Sequence, residues 1–362
     1  MISRLVIVYS GRGHEVDGIR DHSNRILEQL SNGSYGLETE YLDLRGGRGV
    51  AHLADVVRRL RAEDGRSALI LQYNPFAFAR WGFAPWLPAG LAALRLRRNR
   101  PFVGVMVHEP YVPMDSPRWV VLGIWQRLQL AAVRACADVT FTSITAWEDL
   151  LRRSVPRGPV RHLPVGSNFP DMRDSRAAFR SDLGVRDEEL VAAALGRDHP
   201  SWMGSYVVAA ANAIAASGKR VVLLALGAST PELPGLDSAV RVERPGMLEA
   251  EELAGHLAAA DLFLAPLIDG ISTRRGSVMA GLQHGLPVLG TEGPLTDAVL
   301  ADTEAVRLAK VGRPDEFATA AARLAEDPEQ RRGMGVAARH LYETQFDWPV
   351  VAEKLLDELP TG

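Results

Sequence analysis

Only one cysteine, Cys136, occurs in the 362 residues, so no disulfide can form within the chain, which fits a reducing compartment. It lies in Ala135-Cys136-Ala137, inside an apolar helical pattern, and reads as a buried inert thiol rather than a nucleophile. Long apolar runs are also missing. The longest candidate, 119–133, is interrupted by Arg127 and falls short of the roughly 18 uncharged residues that a membrane span needs. The start, MISRLVIVYSGRG, passes straight into strand pattern without an apolar leader and cleavage site, so a signal peptide is not expected and a cytoplasmic location is. A net charge of −3 lacks the basic excess of a general nucleic-acid binder, and no nucleic-acid partner is expected. There is no Walker-type Gly-Lys-Ser/Thr, no zinc-ligand spacing and no Gly-x-Ser-x-Gly elbow. The nearest carboxylate pair for a metal, Asp171 and Asp174, falls in a stretch that reads as linker and solvated, so no metal or other cofactor is expected.

What is present is the composition of a globular protein, 47% hydrophobic and 23% charged, at a length that allows two domains with separate cores. Strand-like runs at 5–9, 38–42, 68–73, 102–108, 139–142 and 160–165 alternate with helical stretches at 18–30, 50–61, 119–135 and 146–152. That alternation argues for a doubly wound parallel sheet. A second alternating series runs from 190 to 308, after a charged, irregular segment at 170–187. The linker falls at 166–170, where VGSNFP gathers Gly, Ser, Asn and Pro. The end is helical at 315–326, 328–344 and 348–358.

The most informative segment is 261–291, DLFLAPLIDGISTRRGSVMAGLQHGLPVLGT. The run 262–267 has strand length, Asp269-Gly270 is turn chemistry, and Ser272-Thr273 can cap a helix carrying Val278, Met279 and Leu282. A second strand follows at 287–291, which completes a βαβ unit whose ligands sit at the carboxyl ends of the strands. The loop 269–276 is that place, and its helix-start amides with Arg274 and Arg275 would present an anion site to a diphosphate. An ordinary βαβ unit with two solvated arginines is the competing reading.

Three other places carry polar groups at strand or helix ends. Gly11 and Gly13 follow the first strand, but Val16 stands where a dinucleotide fingerprint needs its third glycine, which weakens a nicotinamide oxidoreductase reading despite Asp43 at the second strand's end. Asp17 and Asp21 lie at the next helix start, where a purely stabilising role with the dipole competes with a binding role. His108-Glu109-Pro110 closes a strand, and an imidazole there can bond a sugar hydroxyl. In 80–100, Trp81, Phe83 and Trp86 precede Arg95, Arg97, Arg98 and Arg100. That stretch reads either as peripheral contact with an anionic membrane or as a core-packing helix with a solvated basic end.

Ala265-Pro266 closing a strand, the loop 269–276, and Gly285-Leu286-Pro287-Val288 before the next strand together resemble the donor-site region of family 4 retaining glycosyltransferases of the GT-B fold. The resemblance implies an α/β fold of two Rossmann-like doubly wound domains facing a cleft. Residues 1–166 would be the acceptor side, 167–345 the nucleotide-sugar donor domain, and 346–362 a helix crossing back to the amino-terminal domain. VGSNFP resembles the family's hinge, and FDWPVVAEKLLDEL its closing helix. It further implies that Arg197, Arg274, Arg275, Gly276 and Ser277 hold the donor diphosphate, Ser272 and Thr273 the donor sugar, and Gly13, Asp17, Gly18, Asp21 and His22 the acceptor, with His108 and Glu109 as catalytic residues. The implied reaction is sugar transfer from a nucleotide donor to an acceptor hydroxyl with retention, as in carbohydrate biosynthesis. Two departures stand out. Met203 occupies the place of a lysine before Gly204, and the family's glutamate pair maps onto Ser272 and Ala280. Those departures keep a non-catalytic sugar-nucleotide-binding protein of the same fold as the alternative.

Overall fold

The computed structural model describes residues 2–10, 17–32, 35–44, 67–196, 199–227 and 232–360. The helix expected over 50–61, together with Gly13 and Arg197, lies outside the described residues. The chain divides into two compact units, Met1–Pro164 with Trp348–Gly362, and Val165–Asp347.

The first unit is built from β1 (Arg4–Tyr9), α1 (Gly18–Asn32), β2 (Glu38–Asp43), β3 (Ser67–Tyr73), α2 (Trp86–Arg95), β4 (Phe102–Val107), α3 (Pro117–Ala135), β5 (Val139–Thr142), α4 (Thr145–Arg153) and β6 (Val160–His162). Its six strands are ordered β2-β1-β3-β4-β5-β6, with parallel pairing throughout. β3, SALILQY, is buried at every position, as a strand covered on both faces of a parallel sheet must be. Alternate residues feed two cores. Val6, Val8, Leu69, Leu71 and Val105 meet Leu87 and Leu91 of α2 and Leu130 of α3. Leu5, Ile7, Ile70, Met106 and Phe141 meet Ile26 and Leu30 of α1 on the other face.

The second unit holds α5 (Arg176–Asp182), β7 (Glu189–Leu195), α6 (Gly204–Ala216), β8 (Arg220–Leu226), β9 (Val240–Glu243), α7 (Ala250–Ala259), β10 (Leu262–Ala265), α8 (Gly276–Gln283), β11 (Val288–Glu292), α9 (Ala298–Ala301), β12 (Val306–Lys310), α10 (Pro314–Glu326) and α11 (Pro328–Gln345). Its sheet runs β12-β11-β10-β7-β8-β9, again all parallel. Counted from β7 this is the strand order of a dinucleotide-binding sheet, whose switch point, between β7 and β10, is where ligands enter. The last helix, α12 (Trp348–Leu356), belongs to the first unit, where Trp348, Val351, Ala352 and Leu355 join the core beside α1.

Several expected elements come out shorter. β10 stops at Ala265 rather than 267 because Pro266 has no N–H to donate, and the Leu267 amide is taken by Thr291 Oγ1 at 2.8 Å. β6 stops at His162; the Val165 amide turns instead to the Thr273 carbonyl. The irregular stretch 170–187 contains α5, and Asp171, exposed as expected, is also ion-paired with Arg173 at 2.9 Å and Arg339 at 3.0 Å.

Within 80–100 one face of a helix packs into the core. Leu87, Leu91 and Leu94 of α2 are core, and Arg95 and Arg100 both pair with Asp138. The aromatics ahead of the helix stay on the surface. Trp81 is 48% exposed under the Arg118 guanidinium, and Phe83 is 55% exposed against Trp125. Val121, Ile124 and Leu128 of α3 are exposed as well. Among the described residues no helix is long and apolar enough to cross a membrane. Cys136 is buried at the end of α3, and burial pushes its thiol up.

Candidate functional site

Two loops flank the switch point of the second unit. After β7 the chain passes Gly196 and returns at Ser201–Met203, which is stitched to the end of β10. Ile268 N donates to Ser201 O at 2.9 Å, Met203 N donates to Pro266 O at 3.0 Å, and Trp202 bridges to Leu267. The Trp202 indole approaches the backbone closely here. A Cβ on Gly196 would stand 2.6 Å from its ring nitrogen, so glycine is required by close approach. Among the described residues the buried indole N–H has no hydrogen-bond partner. Met203 directly precedes α6 and packs against the core beneath it, so it brings no cation to the loop.

The second loop runs from Pro266 to α8. Gly270 has φ +84, and a side chain there would meet Thr296 Oγ1 at 2.1 Å and Gly293 N at 2.5 Å, which explains the Asp269-Gly270 turn. Ile271 N donates to Thr291 O and Leu295 N to Asp269 O, fixing the loop to the end of β11. Ser272 and Thr273 do not cap the helix as their sequence position suggests. α8 starts at Gly276 with Arg275 before it and no side-chain cap, because the Thr273 amide and hydroxyl both donate to Asp297 Oδ2, at 2.7 and 2.9 Å. Thr273 and Asp297 are fully buried, and Ser272 is 1% exposed with its hydroxyl unpartnered. Arg274, 17% exposed in its side chain, faces Asp269 at 3.6 Å, and Arg275, Gly276 and Ser277 keep part of their surface open. Amides in a first helical turn have no carbonyl partner within the helix, so those of Gly276 and Ser277 add to the positive end. Ala280, the second mapped glutamate position, is wholly buried in the core of the unit.

In the first unit, the His108 amide extends the β3–β4 ladder to Tyr73 O at 2.9 Å, which places its ring at the carboxyl edge. Its Nε2 lies 2.6 Å from Gln72 Oε1. An amide oxygen only accepts, so Nε2 carries the proton and Nδ1 keeps the lone pair. His22 is not presented at the surface: it is 2% exposed, packed edge-on to His108 with centroids 5.5 Å apart and tilted against Trp348 at 5.4 Å. A direct acceptor contact, expected of His22 from its place in the helix, is closed off by this burial. Among the described residues neither of its ring nitrogens has a hydrogen-bond partner. Burial lowers the His22 pKa to about 4; burial, then the neighbouring His22, holds His108 well below the usual range.

Both rings are therefore neutral near pH 7, and stability should depend on pH accordingly. Unfolded His22 takes up a proton near 6.5 and folded His22 only near 4, so the stability it confers is complete above about 6.5 and is lost as pH falls towards 4. The slope contributed is at most about 1.4 kcal/mol per pH unit. Urea melts of the parent and His22→Leu across that window should show a shallower pH dependence in the variant; parallel profiles would refute it.

The remaining residues expected on the acceptor side divide. Asp17 Oδ1 accepts from the amides of Ile19 at 3.1 Å and Arg20 at 3.3 Å, so it caps α1, and burial raises the Asp21 carboxyl. Gly18 opens α1 with open space where a side chain would stand, and Glu109 is exposed with Asn74 Nδ2 at 3.3 Å. Gln72, Asp297 and Trp202 enter the picture only through the structure. Gln72 alone left a signal, as the one amide in an apolar strand.

The arrangement thus offers cations and helix amides at one strand edge and a neutral imidazole at another. Residues 190–327 match the family model for glycosyl transferases group 1. A GDP-mannose-dependent monoacylated alpha-(1-6)-phosphatidylinositol monomannoside mannosyltransferase of Corynebacterium glutamicum is 29% identical over 217 residues, 55% of this chain and 55% of that protein. The chain thus matches about half the length of this curated relative. Among solved structures, sucrose-phosphate synthase from Thermosynechococcus elongatus aligns over 98% of both chains with a TM-score of 0.70 at 16% identity. Anabaena HepE, solved with UDP and glucose, aligns over 98% of both chains with a TM-score of 0.67 at 14% identity. Those two likenesses show the fold. With its two parallel Rossmann-like sheets the chain has the GT-B fold of these solved structures, and its segment from β7 to the end of α10 is similar to the group 1 glycosyl transferases.

Proposed function

We propose that the protein transfers a sugar from a nucleoside-diphosphate donor to an acceptor hydroxyl with retention of anomeric configuration. The observation that carries this reading is the switch point between β7 and β10, where Arg274, Arg275 and the first amides of α8 gather on one braced loop. Charge that builds on the leaving diphosphate would be neutralised there, with Arg197 as the further cation on the β7 side. His108, neutral and oriented by Gln72, offers Nδ1 to a sugar hydroxyl. The reading assigns no carboxylate as nucleophile, so the leaving phosphate oxygen takes the acceptor proton in a front-face attack. Ser272, Thr273, Glu109, Asp17 and Asp21 remain assigned to the donor sugar, catalytic and acceptor sides by resemblance.

The acceptor end of the reading is a lipid presented at a cytoplasmic membrane surface. Exposed Trp81 and Phe83, the apolar side chains Val121, Ile124 and Leu128, and the arginines of 95–100 support peripheral contact there. The curated relative acts on a phosphatidylinositol mannoside, by its name.

The test is product formation. Purified protein is incubated with GDP- and UDP-sugars and with vesicles bearing lipid acceptors. Nucleoside diphosphate release should accompany a glycosylated product whose anomeric configuration, read by NMR, matches the donor's. Binding of GDP or UDP without hydrolysis or transfer would establish the non-catalytic reading instead, which Met203, Ser272 and Ala280 favour.

A further inference from the structure

A groove of about 670 Å³ opens in the second unit at the end of the sheet opposite the β10–α8 loop. Its walls are the residues just before β10 and β11, including Asp261 and His284, and one side of α11. Its size falls within the range of small-molecule sites, about 300–1,000 Å³. β10 and α8 each span it and the donor-side loop, so the two places lie roughly 12–13 Å apart by strand and helix rise.

The lining is strongly cationic: Arg173, Arg176, Arg331, Arg332 and Arg339 face two carboxylates, Asp261 and Glu343. Three of these arginines are fully engaged in the structure. Arg173 is held by Asp171. Arg176 bonds the Ala258 and Ala260 carbonyls and pairs with Asp261, and Arg339 bonds Gln283 O at 2.7 Å and pairs with Asp171 and Glu343. Arg331 differs. Its Nη1 donates to the carbonyls of Leu324 and Ala325, at 2.5 and 2.9 Å, and among the described residues no carboxylate forms an ion pair with it, although Asp261 and Asp327 lie near enough to act on its charge. Arg332 is open to solvent and meets only Glu329, at 4.0 Å.

A second observation is independent of the charge. His284, 5% exposed, lines the same groove; its Nδ1 donates to Ala280 O at 2.9 Å, which leaves Nε2 as a buried acceptor without a partner. Buried polar atoms in native proteins are nearly always satisfied, so the groove wall holds a polar atom whose hydrogen bond a bound hydroxyl could supply.

We propose that this groove binds a phosphorylated polyol, with Arg331 and Arg332 pairing with the phosphate and His284 Nε2 accepting from a hydroxyl, as a site separate from the donor diphosphate site. The chemistry is shared by a free sugar or inositol phosphate and by the headgroup of an inositol lipid. The site stands whether or not the transferase reading does, because the test reads binding alone.

Calorimetry on the full chain uses inositol 1-phosphate as the soluble probe, and sedimentation uses phosphatidylcholine vesicles with or without phosphatidylinositol as the lipid probe. At least one probe should bind, and Arg331→Gln with Arg332→Gln should weaken it about tenfold or more while GDP and UDP binding is unchanged. Arg332→Glu, on an exposed side chain, tests the charge without risk to folding and should weaken the same probe. Arg274→Ala with Arg275→Ala should leave the probe's affinity intact. Soluble binding assigns a free metabolite, and binding confined to phosphatidylinositol vesicles assigns a headgroup. Failure of both probes to bind, or binding indifferent to Arg332→Glu and the double variant, overturns the proposal.

Discussion

Replacing Trp348 by alanine is expected to cost the first unit about 3–5 kcal/mol, the usual effect of emptying a large aromatic site in a core. Trp348 is 8% exposed, shares its core with Ile26, Leu30, Val351 and Leu355, and leans on His22. Its indole fills space between α12 and α1 that neither backbone can close, so the cavity term adds to lost transfer energy. Whole domains are stable by about 5–15 kcal/mol, so such a loss leaves the unit near unfolding at ordinary temperature. The Arg161–Glu358 pair at 2.6 Å also ties this end of the chain down, but both side chains are partly exposed and its contribution is small. Urea denaturation of Trp348→Ala against the parent and the surface control Glu353→Ala measures the effect. Deleting 346–362 should do still more, because it also removes Phe346 from the core of the second unit. A Trp348→Ala midpoint equal to the parent's would mean that α12 is a dispensable appendage.

The second large effect is on binding. With Met203 contributing no donor, the diphosphate charge must be met by the remaining cations and by the start of α8. Arg274→Ala with Arg275→Ala should weaken nucleoside-diphosphate binding about 10- to 100-fold, the equivalent of roughly 1.5–3 kcal/mol for charge-assisted hydrogen bonds. Arg274 already faces Asp269 at 3.6 Å, so part of its charge is shared and the two single variants need not be equal. Nucleoside without phosphate should bind as before, which separates loss of a phosphate contact from damage to the loop. The Gly270 turn and the bonds from the Thr273 amide and hydroxyl to Asp297 remain in the variants, so the fold of the loop is expected to survive. Calorimetry that finds parent-like affinity for the diphosphate in both single variants and the double variant would dismiss the role of these arginines.

Local pattern carried much of the fold because the signals that make it are themselves local. β3 is apolar at nearly every position, as a strand buried on both faces must be, and the Asp269-Gly270 pair marks a turn because only glycine tolerates φ +84 against Gly293. The stripe Trp348, Val351 and Leu355 was legible as one face of a helix for the same reason, and it is buried on α1. The candidate site was less legible. Ser272-Thr273 reads as a helix cap within its own neighbourhood, yet Thr273 is claimed by Asp297, 24 residues on, and the helix starts later.

The sequence by itself determined the alternation of strands and helices, the two sheets, and the loop that carries Arg274 and Arg275, since period, turn chemistry and strand length act over a few residues. Only the tertiary structure decided which polar groups are used up inside the protein. His22 is buried between His108 and Trp348, Gln72 fixes the His108 proton, Met203 packs against the core, and His284 lines a groove on the far edge of its sheet. Each of those outcomes depends on a neighbour distant in sequence, because hydrogen bonding and burial are settled by which surfaces the packed elements bring together.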